Sequence, residues 1–210
     1  MNLNSIETHI LKPFIPQDSN ILLLGSFPPP QARWSMPFYY PNFNNDMWRI
    51  FGLAFMNDKM YFVNLEQKTF YQDKIMDFLK LKGIAIGDSA LKVQRLKGNA
   101  DDKFLEVKEA LNIGEILKQM PNCKAILTTG TKACEIVLQQ AKINGWILDI
   151  NKTIKAPKTG EYLQAFTPNT QDNEKQSIKI YRMPSSSRAY PLSLDKKAQI
   201  YKEVISKYTY

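Results

Sequence analysis

"NILLLGSFPPP", residues 20–30, decides the fold. Its apolar run is too short for a helix and ends at a glycine followed by three prolines, so it reads as a buried strand emptying into a loop. The same pattern recurs along the chain. "IAIGD" (84–88) is a short strand ending on a carboxylate, "KAILTTG" (124–130) a third strand and "SIKIYRMP" (177–184) a fourth. Helical patterns separate them. One runs from about residue 44 to 55 with Asn44 or Asn45 as its N-cap. Others follow in "TFYQDKIMDFLKLKG" (69–83, stopped at Gly83), at about 112–119, in "TKACEIVLQQAKI" (131–143) and after Ser193, where Leu194, Ala198, Tyr201 and Ile205 form one apolar face. Alternating strands and helices predict α/β layering around a mainly parallel sheet. The charged stretch "KVQRLKGNADDKFLE" (92–106) reads as a crossing segment, and residues 152–176 as polar surface hairpin and loop.

With 210 residues, 44% hydrophobic and 23% charged, the chain is sized for one domain over residues 1–210. Its 28 Lys and Arg against 20 Asp and Glu give a net charge of +8, which favours a polyanionic partner. No apolar run approaches a membrane span, and the opening "MNLNSIETHILKPF" lacks the order of a signal peptide, so a cytoplasmic monomer is expected. Two cysteines, Cys123 and Cys134, and one histidine, His9, are too few for most familiar metal centres, and no cofactor is expected. The cysteines read as buried, reduced thiols. His9 is read into an N-terminal helix far from the loops that carry chemistry.

In an open parallel sheet, ligands collect beyond the carboxyl ends of the strands, so the loops after Gly25, Asp88, Gly130 and Met183 matter most. Gly130-Thr131-Lys132 lacks the full phosphate-loop spacing, and the prolines of "GSFPPP" remove the N–H donors a pyrophosphate requires. More informative is "MPFYYPNFNNDMWRIFG" (36–52). Trp48, Phe51 and Phe55 have core-helix spacing, which leaves Phe38, Tyr39, Tyr40, Asn42, Asn44 and Asn45 as rings and amides suited to a base-binding pocket.

Four segments, "LLLGSFPP", "FYYPNFNNDMWRI", "GIAIGDSALKVQRLKGNADD" and "MPSSSRAYPLSL", together resemble the uracil-DNA glycosylase superfamily in kind and in order. The resemblance implies a three-layer α/β/α sandwich around a four-stranded, mainly parallel sheet, and removal of a deaminated base, hypoxanthine or uracil, from DNA. Two usual catalytic positions differ here, being occupied by Phe27 and Ser185. The branch resembling hypoxanthine-DNA glycosylase shares both absences and carries its catalytic asparagine in an N-x-F-W motif, which "NDMW" matches with Met47 in place of Phe. By that match Asn45 is the catalytic candidate, holding a water through its side-chain oxygen. Asp88 reads as either a helix cap or a pocket carboxylate with a catalytic role. The resemblance also implies base binding by backbone N–H groups near Ser26 and Phe27 and stacking on Tyr40. Phosphates of the DNA partner would be gripped by Ser185, Ser186, Ser187 and Arg95, with Lys92 and Lys97 nearby, while Arg188 fills the gap left by a flipped nucleotide. The competing reading is a nucleic-acid-binding protein that keeps the pocket and has lost the chemistry.

Overall fold

Strand β2 (Ile21–Gly25) has no exposed residue, because alternate side chains enter two different cores. Ile21 and Leu23 face one, Leu22 and Leu24 the other. The computed structural model describes residues 5–97, 102–147, 155–168 and 175–209. In it β2 is hydrogen-bonded in parallel to β5 (Ile84–Asp88) on one side and β8 (Ala125–Thr129) on the other. β10 (Lys175–Met183) continues the parallel set beyond β8. A fifth strand, β9 (Tyr162–Pro168), closes the edge antiparallel to β10, giving the order β5-β2-β8-β10-β9. The four expected parallel strands are all present. β9 lies within the segment read as surface hairpin and loop, because Gln164 and Thr167 interrupt its apolar residues and the sequence on either side is polar and turn-rich. The parts of that segment at 152–154 and 169–174 lie outside the described residues.

Helices cover both faces, which makes the three-layer α/β/α architecture. α1 (Met47–Met56), α2 (Gln72–Leu81) and α5 (Leu194–Ile205) bury Trp48, Phe51, Ile75, Phe78, Tyr201 and Ile205 against Leu23 and Ile86. α3 (Ile113–Lys118) and α4 (Thr131–Ile143) pack Ile116, Cys134, Val137 and Leu138 against Leu22, Leu24 and Ile126. Two of these helices, α3 and α5, are capped by a side chain. Asn112 accepts from Glu115 N at 3.2 Å, and Ser193 from Lys196 N at 3.3 Å. Burial pushes the Cys123 thiol up to about 12 and raises that of Cys134, so both are inert packing groups.

The crossing segment is a further departure. It forms β6 (Ala90–Arg95) and β7 (Leu105–Ala110), an antiparallel pair to which the N-terminal strand β1 (Ile6–Thr8) adds beside β6. Residues 98–101 of that segment are outside the described residues. β1 also replaces the expected N-terminal helix, and its register sets Thr8 opposite Lys92. A short ribbon, β3 (Val63–Asn64) with β4 (Thr69–Phe70), completes the described strands.

Candidate active site

Chain order in the parallel set reverses between β2 and β8, and a crevice opens where two neighbouring strands send their connections in opposite directions. It is a cleft of about 860 Å³. The ends of β2, β5 and β8 contribute Gly25 to Phe27, Asp88 and Thr129, the loop after β10 contributes Ser185 to Ala189, and Tyr40, Asn44 and Asn45 close it from the α1 side. The carboxyl ends of all four parallel strands, or the loops just after them, therefore supply residues to this one place.

The asparagine wall is built by short-range bonds. Asn42 turns the chain, its Oδ1 accepting from Asn44 N and its carbonyl from Asn45 N, both at 2.8 Å. Asn45 Oδ1 accepts from Met47 N at 2.8 Å, and since an amide N–H can only donate, the side-chain amide orientation is fixed. The expected cap is not made: α1 begins at Met47 with Asp46 as its N-cap and no side-chain cap bond, so Asn45 stands one residue outside and its bond only turns the chain into the helix. One lone pair of Oδ1 is spent, while the other and the Nδ2 hydrogens have no protein partner among the described residues. Beneath the turn, buried Arg49 donates to the carbonyls of Phe43 at 2.9 Å and Asn45 at 3.0 Å. Burial lowers the pKa of that guanidinium, Arg188 adds to the effect and Asp46 opposes it.

Of the rings held in reserve for a pocket, Phe38 and Tyr39 are core residues. Tyr40 alone reaches the cleft. Its backbone is left-handed at φ 51°, a strained conformation for a tyrosine, and its hydroxyl is bonded to Thr129 Oγ1 at 2.8 Å. Burial, then the nearby Tyr201 and Asp88, raise its pKa well above the ordinary tyrosine value, so it stays a neutral phenol.

The carboxylate wall is built over long range. Asp88 is buried, and a methyl group placed on Gly25 would overlap its Oδ1 and approach the Tyr40 hydroxyl, so glycine is required there. Its Oδ2 meets His9 Nε2 at 2.8 Å. This corrects the placement of His9, which is carried by β1 into the site rather than by a helix away from it. Asp102 also lines the cleft and accepts from Ser26 Oγ at 2.7 Å. Sequence reasoning missed it as a site residue, and its signal was the acidic pair closing "GNADD". Phe27, half-buried on this wall, sits with its ring 5.3 Å from that of His9.

Arg95 requires a second correction. It is only 7% exposed, ion-paired to Glu7 at 2.8 Å, donating to the Pro28 carbonyl at 2.7 Å and lying over the Phe27 ring, so it holds the proline loop instead of facing phosphate. Lys92 pairs with Glu109 at 2.6 Å, and Lys97 lies 4.1 Å from the Phe104 ring centroid.

In the serine loop, Ser186 is buried and its carbonyl accepts from Asp46 N at 3.0 Å, which ties this loop to the asparagine wall. Ser185 Oγ accepts from Ser187 N and Ser187 Oγ from Ala189 N, both at 3.2 Å, so each hydroxyl retains its own proton to donate. Lys197, buried in α5, donates to the Ser187 carbonyl at 2.7 Å, and Tyr201 to that of Pro184 at 2.9 Å. Gly130, left-handed at φ 89°, keeps the neighbouring turn close to Ser185. Arg188 is half-exposed, with Nε on Asp46 Oδ1 at 3.0 Å and Nη1 on Asn44 Oδ1 at 3.4 Å.

No family model and no curated protein matches the sequence. Among solved structures, the chain is similar to the solution NMR structure of a provisionally assigned uracil DNA glycosylase from Methanosarcina acetivorans. The two share 18% identity over 95% of this chain and 99% of the other, with a TM-score of 0.58. At that identity the likeness is one of fold. No helix among the described residues is long and apolar enough to cross a membrane.

Proposed function

We propose that residues 1–210 form one DNA glycosylase-like domain that turns a deaminated base, hypoxanthine or uracil, out of DNA and hydrolyses its N-glycosidic bond to leave an abasic site. It acts as a cytoplasmic monomer and needs no cofactor. The observation that carries this reading is the cleft at the β2/β8 reversal, where Asn45, Asp88 and Tyr40 all line one cavity beside the serine loop.

The bond breaks through an oxocarbenium-like state, so the site must steady a departing anionic base and hold one water. Asn45 has the atoms for this, with its second Oδ1 lone pair available to a water proton and its amide hydrogens to the water oxygen or the base. Phe27 N–H has no acceptor among the described residues and is the donor for the base carbonyl. Tyr40 offers its ring to the extruded base, a contact worth about 1–3 kcal/mol. Ser185 and Ser187 donate to the flanking phosphates, and Arg188, released from Asp46, enters the vacated stack. Extrusion costs a few kcal/mol and least at a mispair, which is what deamination creates.

The test is incubation with oligonucleotides carrying inosine or uracil, followed by alkaline cleavage of abasic sites. Strand scission on one of them is the expected result. Salt-sensitive binding with no scission on any lesion would instead make the chain a binder that has lost its chemistry, the reading that Phe27 at a usual catalytic position favours.

A further inference from the structure

We infer that His9 is a positioning residue that turns the Asp88 carboxylate into a fixed proton acceptor for the attacking water. The inference rests on the glycosylase reading and adds to it a residue from the far N-terminal strand.

The pairing of β1 with β6 delivers His9, whose own N–H donates to the Leu91 carbonyl at 2.8 Å. Leu11 N–H then donates to His9 Nδ1 at 3.1 Å. A backbone N–H cannot accept, so Nδ1 presents its lone pair and the ring proton resides on Nε2. That proton is donated to Asp88 Oδ2. The imidazole is held between the edge-on Phe27 ring at 5.3 Å and the Tyr39 ring at 6.0 Å, and its side chain is 2% exposed. A ring so packed cannot turn to exchange its nitrogens without disturbing its neighbours.

For Asp88 the consequence is asymmetry. A buried carboxylate needs donors, and His9 is the one protein donor it has among the described residues. Oδ2 is spent on it, whereas Oδ1 takes no protein hydrogen bond and lies over Gly25 in the space it shares with the Tyr40 hydroxyl, and all three residues line the cleft. Phe27 at the end of β2 cannot accept a proton; Asp88 at the end of the adjacent β5 can. In the step this implies, the water oxygen bonds to C1′ while the C1′–N bond breaks and its electron pair leaves with the base. One water proton passes to Asp88 Oδ1, and the base anion takes a proton from solvent. His9 moves no proton; it fixes which oxygen faces the water.

Because the chain has a single histidine, ring-15N histidine labelling of the full-length protein gives one unambiguous pair of signals. The expected spectrum has a protonated Nε2 and an unprotonated Nδ1, with the Nε2 signal displaced by Asp88→Asn. In single-turnover excision, His9→Leu should lose roughly 10- to 100-fold, as loss of an orienting partner does elsewhere, with DNA affinity unchanged. His9→Gln, which can still donate to Asp88, should recover at least about tenfold of that loss. Adding His9→Leu to Asp88→Asn should cost nothing more. A proton on Nδ1, or equal losses for His9→Leu and His9→Gln, would overturn the inference. If the wild-type chain cleaves no lesion, the glycosylase reading fails, and the tautomer and its coupling to Asp88 alone decide whether the pair exists as argued.

Discussion

The two walls of the cleft are built differently. The asparagine wall is mainly local: Asn42, Asn44, Asn45, Met47 and Arg49 bond to one another across a few positions, and only its rim is tied at long range, to Ser186 and Arg188. The carboxylate wall is assembled from partners far apart in sequence. His9 reaches Asp88 across 79 positions, Ser26 reaches Asp102 across 76, and Arg95 reaches Glu7 across 88. A local wall can lose one side chain and keep its shape, whereas a long-range wall depends on the tertiary structure that delivers its parts.

The largest expected effect tests the local wall. Asn45→Ala should lower the single-turnover excision rate by roughly 100-fold or more, the cost of one positioned polar group, with DNA affinity within a few fold. The lost bond to Met47 N should remove only about 1 kcal/mol of stability. If the variant excises at the wild-type rate and merely melts earlier, the asparagine only turns the chain into α1 and the chemistry belongs to the opposite wall.

Arg95→Ala makes the complementary test. It removes an ion pair buried on the arginine side only, a charge-assisted bond to the Pro28 carbonyl and the cation over Phe27, so thermal or urea denaturation should register a loss of about 2–3 kcal/mol. The salt dependence of DNA binding should stay as it is in the wild type, since this arginine releases no counterion. A stable variant with a shallower salt dependence would return Arg95 to the phosphate role that the sequence suggested.

Gly25→Ala probes the long-range wall without removing any of its groups. The new methyl must displace Asp88 Oδ1 or distort the end of β2, and a loss of about tenfold in excision is expected with the far-UV circular dichroism unchanged. An unchanged rate would mean that the position of Asp88 does not limit the chemistry.

The same division explains what the sequence made legible. β2, β5 and β8 are apolar runs and β10 alternates apolar with polar residues, each with its own turn signal, so the α/β layering and the loops beyond the strand ends could be placed from residues, while the three-layer sandwich came from the resemblance. Asn45, Tyr40 and the serines lay inside recognisable local segments. β9 and the β1–β6–β7 sheet did not register, because their strands are partly exposed, polar residues interrupt their apolar ones, and their pairing is set by tertiary contact. His9 was misplaced for that reason. Arg95 was misread because one charged side chain in a basic segment looks the same whether it faces solvent or turns inward to a glutamate on another strand.

Arg188 joins the two walls' fates at the rim, and the smallest effect is expected there. Its ion pair with Asp46 is half-exposed on the arginine side, and such pairs contribute about 0–1 kcal/mol, so DNA can draw the guanidinium away at little cost. Arg188→Ala should therefore barely move the melting temperature. It should weaken duplex binding more than single-strand binding, because only a duplex has a stack to refill after the base leaves. The slope of log affinity against log salt should fall by about one if the guanidinium also meets a phosphate. Equal losses on duplex and single strand would reduce it to that phosphate contact. No loss on either would mean that Arg188 stays on Asp46 and Asn44 throughout, clasping the serine loop to the asparagine wall and leaving the gap in the duplex for another side chain to fill.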